Sequence, residues 1–189
     1  VMDPIEAINF KKDSSLDIMI EAQDRGHELF YIEPSSLYIN ELGAYALIHK
    51  IEVFDNADKW FDLGDSTPKR LSDLDTIMMR QDPPFDSDYI YNTYVLEAAE
   101  KEGVHVINRP RSLRDCNEKV FATEFPECCT PFLVASNQSL IREFIATHKD
   151  TVIKPLDGMG GSSIFRLREN DPNIAVVLET ITSFYKTKV

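Results

Sequence analysis

Hydrophobic positions recur with two different periods along this chain, and the switches between them outline its elements. Leu16, Met19 and Ile20 recur at helical spacing, with Ser14 or Ser15 available as a cap and Gly26 as a stop. Residues 28–33 form a short apolar run between two glutamates, and residues 44–54 alternate apolar with polar. Both read as strands, the second as part of an edge hairpin. Residues 55–70 are polar and turn-rich, with Trp60 and Phe61 as a local anchor. Residues 75–79 read as a buried strand ending at Arg80. From 86 to 102, Tyr89 or Ile90, Thr93 or Tyr94, and Leu96 to Ala98 mark a long helix stopped by Gly103, and 104–108 is the next strand. Strands alternating with helices predict an α/β fold with a mainly parallel sheet and ligands near the carboxyl ends of its strands.

The second half has the same grammar in a smaller unit. Residues 109–112 read as a linker and 112–125 as a connecting helix. A strand at 131–135, a helix at 137–148, strands at 151–155 and 163–168, and a helix near 173–182 follow. About 70 residues make a meagre independent core, so this unit reads as unfinished. Val1 and Met2 resemble the end of a strand, and residues 185–189 the opening of another. The expectation is a piece of a longer protein, with domains at 1–111 and 112–189.

Between the strands at 151–155 and 163–168 runs Lys154-Pro-Leu-Asp-Gly-Met-Gly-Gly-Ser-Ser-Ile-Phe165, which holds three of the chain's seven glycines. Glycine-rich backbone takes left-handed dihedrals and brings bare N–H groups to a ligand. A strand, glycine loop, strand order is a hairpin with an oversized tip. A P-loop needs its lysine inside the loop, and a dinucleotide motif needs Gly-x-Gly-x-x-Gly; neither spacing occurs. A lid over polyphosphate, with Lys154 at its base, fits this composition. An ordinary glycine-rich turn fits it equally, and the glycines alone do not separate the two.

Charge and cysteines narrow the field. The net charge of −12 argues against sequence-independent binding to nucleic acid or an anionic membrane. No run of apolar residues is long enough to span a bilayer, and the opening residues lack the pattern of a signal peptide. Cys116, Cys128 and Cys129 form neither a disulfide framework nor a zinc pattern, which points to reduced thiols in the cytoplasm. The four histidines are scattered without ligand spacing. Taken singly, Arg80 reads as a surface ion pair with Asp82 or Asp86, Lys119 as a solvated lysine, and Lys154 as an edge charge.

Three segments change those single readings when taken together. Met79-Arg-Gln-Asp-Pro-Pro-Phe-Asp86, Ser112-Leu-Arg-Asp-Cys-Asn-Glu-Lys-Val-Phe121 and the glycine run resemble, in order and spacing, the bacterial glutathione synthetases, which are ATP-grasp ligases. The resemblance runs from Val1 to about Thr182. The family's usual pattern has Lys where Gln81 stands and Ala near Ser162, two mild departures. It implies a Rossmann-like pre-ATP-grasp domain that binds substrate, followed by an incomplete ATP-grasp domain. It implies ATP and Mg2+ as cofactors, with no metal ligand in this chain and the Mg2+ ligands beyond residue 189. It also implies γ-glutamylcysteine and glycine as substrates, joined through an acyl phosphate, in a homo-oligomer. By the same resemblance Lys119 and Lys154 contact ATP phosphates, and Gly158, Met159, Gly160, Gly161, Ser162 and Ser163 form the lid. Arg80 contacts the γ-glutamyl peptide, and no side chain is a covalent nucleophile. The piece alone is expected to be inactive. Another ATP-grasp peptide or amino-acid ligase, or a nucleotide-binding regulatory protein without turnover, remains the alternative.

Overall fold

A computed structural model describes all 189 residues, which fold as two compact units. The first comprises Val1–Asp82 and Ser87–Arg114, the second Pro83–Asp86 and Asp115–Val189. No helix is long and apolar enough to cross a membrane.

In the first unit the elements run α1 (Ser14–Asp24), β1 (Phe30–Tyr31), β2 (Leu37–Asn40), β3 (Gly43–Val53), β4 (Phe61–Arg70), β5 (Thr76–Met78), α2 (Ser87–Lys101), β6 (His105–Ile107) and α3 (Pro110–Asp115). Helix α1 is capped by Asp13 rather than by either serine. The Asp13 carboxylate accepts from Ser15 N at 2.7 Å and Leu16 N at 3.1 Å, satisfying two of the amides that every helix leaves open at its start. Ser14 and Ser15 are thereby free to use their hydroxyls elsewhere. Leu16 is buried against Ile5, Tyr31, Ile51 and Val53, with Met19, Ile20 and Trp60 packed around them.

The strand expected at an edge is central. β3 pairs antiparallel with β1, β2 and β4. The polar stretch after it is not a loop: β4 spans ten residues of it, including Gly64, Asp65 and Pro68. β4 borders only β3, and an edge strand tolerates proline because one row of its amides has no partner to serve. Trp60 is the anchor the sequence suggested. Its indole Nε1 donates to Ile5 O at 3.0 Å, and its ring lies 5.8 Å from that of Phe61 and 6.3 Å from that of Phe10.

Among the strands, β5 and β6 alone pair in parallel, so the mainly parallel sheet is met only in part; the fold is a mixed α/β one. Ile77 and Val106 are buried in this pair, and α2 turns Tyr89, Thr93, Leu96 and Ala99 inward. Each fully buried aliphatic side chain contributes roughly 1.5–3 kcal/mol. Residues 1–2 lie beside β5: the Val1 amino group donates to Met78 O at 2.8 Å, Arg80 N donates to Val1 O at 2.7 Å, and Met2 N donates to Ile32 O at 3.1 Å. The expected linker after β6 is the start of α3, and the helix expected over 112–125 breaks at Asp115 into turns. Asn117 explains the break, because its side chain accepts from Lys119 N and Val120 N and competes with helical bonding.

The second unit contains α4 (Gln138–His148), β7 (Asp150–Ile153), β8 (Phe165–Arg168) and α5 (Ile174–Ile181). Asn137 caps α4 by accepting from Ser139 N and Leu140 N. Ile141 and Ile145 of α4, Ile153, Leu167, and Ile174, Leu178 and Ile181 of α5 share one apolar cluster. The strand expected at 131–135 is not formed. Ala135 exchanges two backbone bonds with Val189, at 3.2 and 3.0 Å, while Ser183, Phe184 and Tyr185 turn with positive φ, and the strand opening expected at 185–189 is not formed.

Candidate functional site

β7 and β8 pair antiparallel from Asp150↔Arg168 to Ile153↔Phe165, so the glycine run is the tip of a hairpin as its flanks predict. Arg166 grips Asp150 through two bonds at 2.8 and 2.6 Å across the base, and this holds the Asp150 carboxyl below its usual range. Lys154 falls one residue after β7 rather than on it, and is exposed. Gly160 and Gly161 have φ of +66° and +80°, and Ser163 has φ of +55°. Glycine adopts such backbone freely, which lets the chain reverse between the strands without a Cβ penalty.

A cavity of about 1110 Å³ opens beside this tip, within the second unit. Lys119, Lys154, Gly158, Met159, Gly160, Gly161 and Ser162 all line it, and Ser163 does not. The Lys119 ammonium donates to Gly158 O and to Glu118 Oε1, both at 2.6 Å, and its side chain is only 16% exposed. The lysine thus ties the 115–120 segment to the hairpin tip. Asn117 makes a second tie: its Nδ2 donates to Leu156 O at 2.9 Å while its Oδ1 organises the turn that carries Lys119. Phe85 N adds a third by donating to Asp157 O at 2.9 Å. Partly exposed apolar side chains, among them Phe132, Leu133, Val152 and Ile164, share the rest of the wall with polar ones such as Glu118, Thr130 and His148. Such a cavity offers a flat apolar ligand one surface and an anion another.

Asn117 was not singled out from the sequence. The available signal was an Asn placed two residues before Lys119 in a stretch of poor helix formers, which is a turn signature rather than a helix one.

Arg80 belongs to the first unit. Its Nε donates to Ser15 Oγ at 3.0 Å and its Nη2 to Ser14 Oγ at 2.9 Å. No salt bridge joins it to Asp82, one of the two partners suggested by the isolated sequence. Asp82 N instead donates to Asp3 Oδ2 at 2.7 Å. The Asp82 carboxyl is pushed up by burial and by the charges of Asp3 and Asp13, against the pull of Arg80. Next to Arg80, Gln81 accepts from Asn92 Nδ2 at 3.0 Å and so fastens this corner to α2.

The chain is therefore an α/β one whose first unit carries a serine-held arginine after a parallel strand and whose second carries a glycine hairpin tied by lysine beside a cavity. Family comparison makes that class specific. The profile of the prokaryotic glutathione synthetase N-terminal domain matches residues 1–114, and that of the prokaryotic glutathione synthetase ATP-grasp domain matches residues 118–189. The chain belongs to the prokaryotic glutathione synthetase family. Among curated relatives, the glutathione synthetase of Pseudomonas putida is 55% identical over 97% of this chain and 58% of its own length. That of Pseudomonas aeruginosa is 54% identical over 96% of this chain and 57% of its own. That of Salmonella typhi is 50% identical over 96% and 58%. The chain thus spans somewhat over half the length of the relatives it matches.

Proposed function

We infer that this chain carries the acid-binding and phosphate-binding parts of an ATP-dependent carboxylate–amine ligase, and that the complete protein joins γ-glutamylcysteine to glycine. The observation that carries the reading is the bond from Lys119 to Gly158 O on a cavity wall that also bears Lys154, in a chain of this family. In this reading residues 1–111 are a Rossmann-like substrate domain and residues 112–189 the first part of an ATP-grasp domain, in a protein that assembles as a homo-oligomer. The bonds of Val1 to Met78 and Arg80 have the one-residue offset of a parallel ladder, which supports the Rossmann-like description.

A carboxylate resists attack by an amine because its leaving group would be oxide. ATP supplies the phosphoryl group that makes phosphate the leaving group instead. This chain's own residues then have three tasks. Arg80, its guanidinium fixed along one edge by Ser14 and Ser15, presents its remaining N–H donors to a substrate carboxylate. Lys119 and Lys154 put positive charge on the cavity wall against the phosphates. The Gly158 to Ser163 tip contributes backbone N–H groups and excludes water that would hydrolyse an activated acid. None of these steps needs a side-chain nucleophile; positioning and charge suffice. The chain brings no three His, Cys, Asp or Glu side chains together in a group that could hold a metal ion.

Phosphate release by the complete polypeptide, given γ-glutamylcysteine, glycine, ATP and Mg2+, tests the reading. Release that requires both amino-acid substrates is expected. Release only with a different acid and amine would replace the substrate assignment, and ATP binding without release in any mixture would replace the ligase by a regulatory nucleotide binder.

A further inference from the structure

Lys119 and Lys154 share the cavity wall, yet neither stands in a helix or a strand, so regular backbone places neither. A lysine ammonium is a point charge on a flexible stem, and it accepts any carbonyl within reach as a partner. A shorter side chain has to choose for it. Asn117 is half-buried beside Lys119 and does not itself line the cavity. Its Nδ2 donates to Leu156 O at 2.9 Å, two residues before the Gly158 O that receives the Lys119 ammonium. Both bonds span 39 residues, from 117 to 156 and from 119 to 158. The two segments therefore meet as a ladder of two rungs with the same step on each side.

The other end of the amide closes the turn that carries the lysine. Asn117 Oδ1 accepts from Lys119 N at 3.0 Å and from Val120 N at 3.1 Å, and the Asn117 carbonyl accepts from Phe121 N at 2.8 Å. Serving both partners takes a donor and an acceptor on one short stem, which the Asn side chain supplies and Asp or Ser does not.

We propose that Asn117 is the positioning residue for the Lys119 ammonium, fixing which carbonyl of the hairpin tip it meets and so where its charge stands on the cavity wall. A slip of the ladder by one rung carries the ammonium from Gly158 O to Leu156 O, about 6–7 Å along an extended backbone. The long lysine stem tolerates that slip. The short amide does not, because its donor then faces Lys154 O while its acceptor stays bound in the turn. Asn117 acts through Lys119 and touches no ligand. That the charge so placed meets a phosphate rests on the ligase reading above.

Asn117→Ser in the complete polypeptide tests the proposal. A serine hydroxyl still serves the local turn but is too short to reach Leu156 O, and the change is neutral in charge. The released ammonium is expected to react severalfold faster with an activated acetate ester, read by peptide mass mapping, while Lys149, outside the cavity, keeps its rate. Asn117→Ala, which also opens the turn, is expected to do at least as much. Unchanged Lys119 reactivity in both variants overturns the proposal. A second arm reads ATP affinity by calorimetric titration. Asn117→Ser is expected to weaken ATP about fivefold, short of the roughly tenfold cost of losing the lysine, and to leave γ-glutamylcysteine binding unaltered. In a Lys119→Met background the serine is expected to change ATP affinity no further, since nothing remains for Asn117 to place. Full additivity of the two substitutions assigns Asn117 to the fold alone and overturns the proposal. Faster acylation of Lys119 with ATP affinity unaltered by either single substitution leaves the positioning role standing and removes the phosphate reading.

Discussion

The molecule carries two cationic corners, and they are built on opposite principles. Arg80 is held by regular structure. It follows β5, its guanidinium rests on two hydroxyls in the first turn of α1, and that turn is itself fixed by the Asp13 cap. Lys119 and Lys154 stand on irregular backbone, and Lys119 is bonded to the tip of the hairpin. A fixed planar fork suits a carboxylate, whose two oxygens stay in one plane. Point charges on adaptable backbone suit phosphates, whose oxygens are presented in many directions and whose site must open for entry and close for reaction. Rigidity in one corner and compliance in the other is what the positioning chemistry proposed above asks of these residues.

The sharpest way to break this comparison is to replace the fork by a point charge. Arg80→Lys keeps the charge and removes the planar donors. It is expected to weaken binding of γ-glutamylcysteine to the complete protein about 10- to 100-fold, the worth of one or two hydrogen bonds to a charged group. Calorimetric titration reads this, and an unchanged affinity would end the claim that geometry matters at this corner. Next in size is Lys119→Met, which removes both a cation and the tie to Gly158. ATP affinity is expected to fall about tenfold, equivalent to ~1.4 kcal/mol. Amide exchange at Gly160 and Gly161 is expected to quicken in the same variant, because the tip loses its bond to the 115–120 segment. Tighter tip protection after the substitution would mean that the lysine does not restrain it.

The two corners also differ in how far the sequence disclosed them. Periodicity located α2, α4, α5, β5 and β6, because each buries a regular apolar face. The glycine hairpin was legible for the same reason: Val152 and Ile153 on one side and Phe165 and Leu167 on the other flank a run of special residues. β4 was hidden. Gly64, Asp65 and Pro68 are depleted in strands generally, and only its position beside β3 makes them acceptable. The serines of α1 were legible as helix-start residues but not as the seat of Arg80, since 65 residues separate Ser15 from Arg80 and no local pattern encodes that bond. Asp13 was overlooked because three potential caps follow one another and only tertiary structure chooses among them. The cavity wall, assembled from segments between Glu118 and Val189, was likewise beyond any local signal.

Compliance of the tip is tested more gently by Gly161→Ala. A Cβ there meets nothing within 4 Å, so only the backbone at φ of +80° resists it. The expected loss is about 1 kcal/mol in chemical denaturation, the cost of a left-handed residue with a side chain. A loss no greater than that of an exposed substitution in β8 would show that the tip relaxes into another turn.

The smallest expected effect probes the acidic rim of the rigid corner. The Asp82 carboxyl is raised above its usual range by burial, Asp3 and Asp13, with Arg80 opposing them. A raised carboxyl binds its proton more readily in the folded chain than in the unfolded one. The charged form therefore costs stability above the raised value, and that cost disappears as the pH falls through it. Asp82→Asn removes the charge and leaves intact the backbone bond from residue 82 to Asp3. Because the side chain is largely in contact with solvent, screening limits the gain at pH 7 to about 1 kcal/mol or less. The gain is expected to shrink to nothing as the pH drops into and below the carboxylate range, measured by urea denaturation of variant and parent side by side. A loss at pH 7 that vanished as the pH fell would mean instead that Arg80 dominates the carboxyl, and that this corner is held by an ion pair after all.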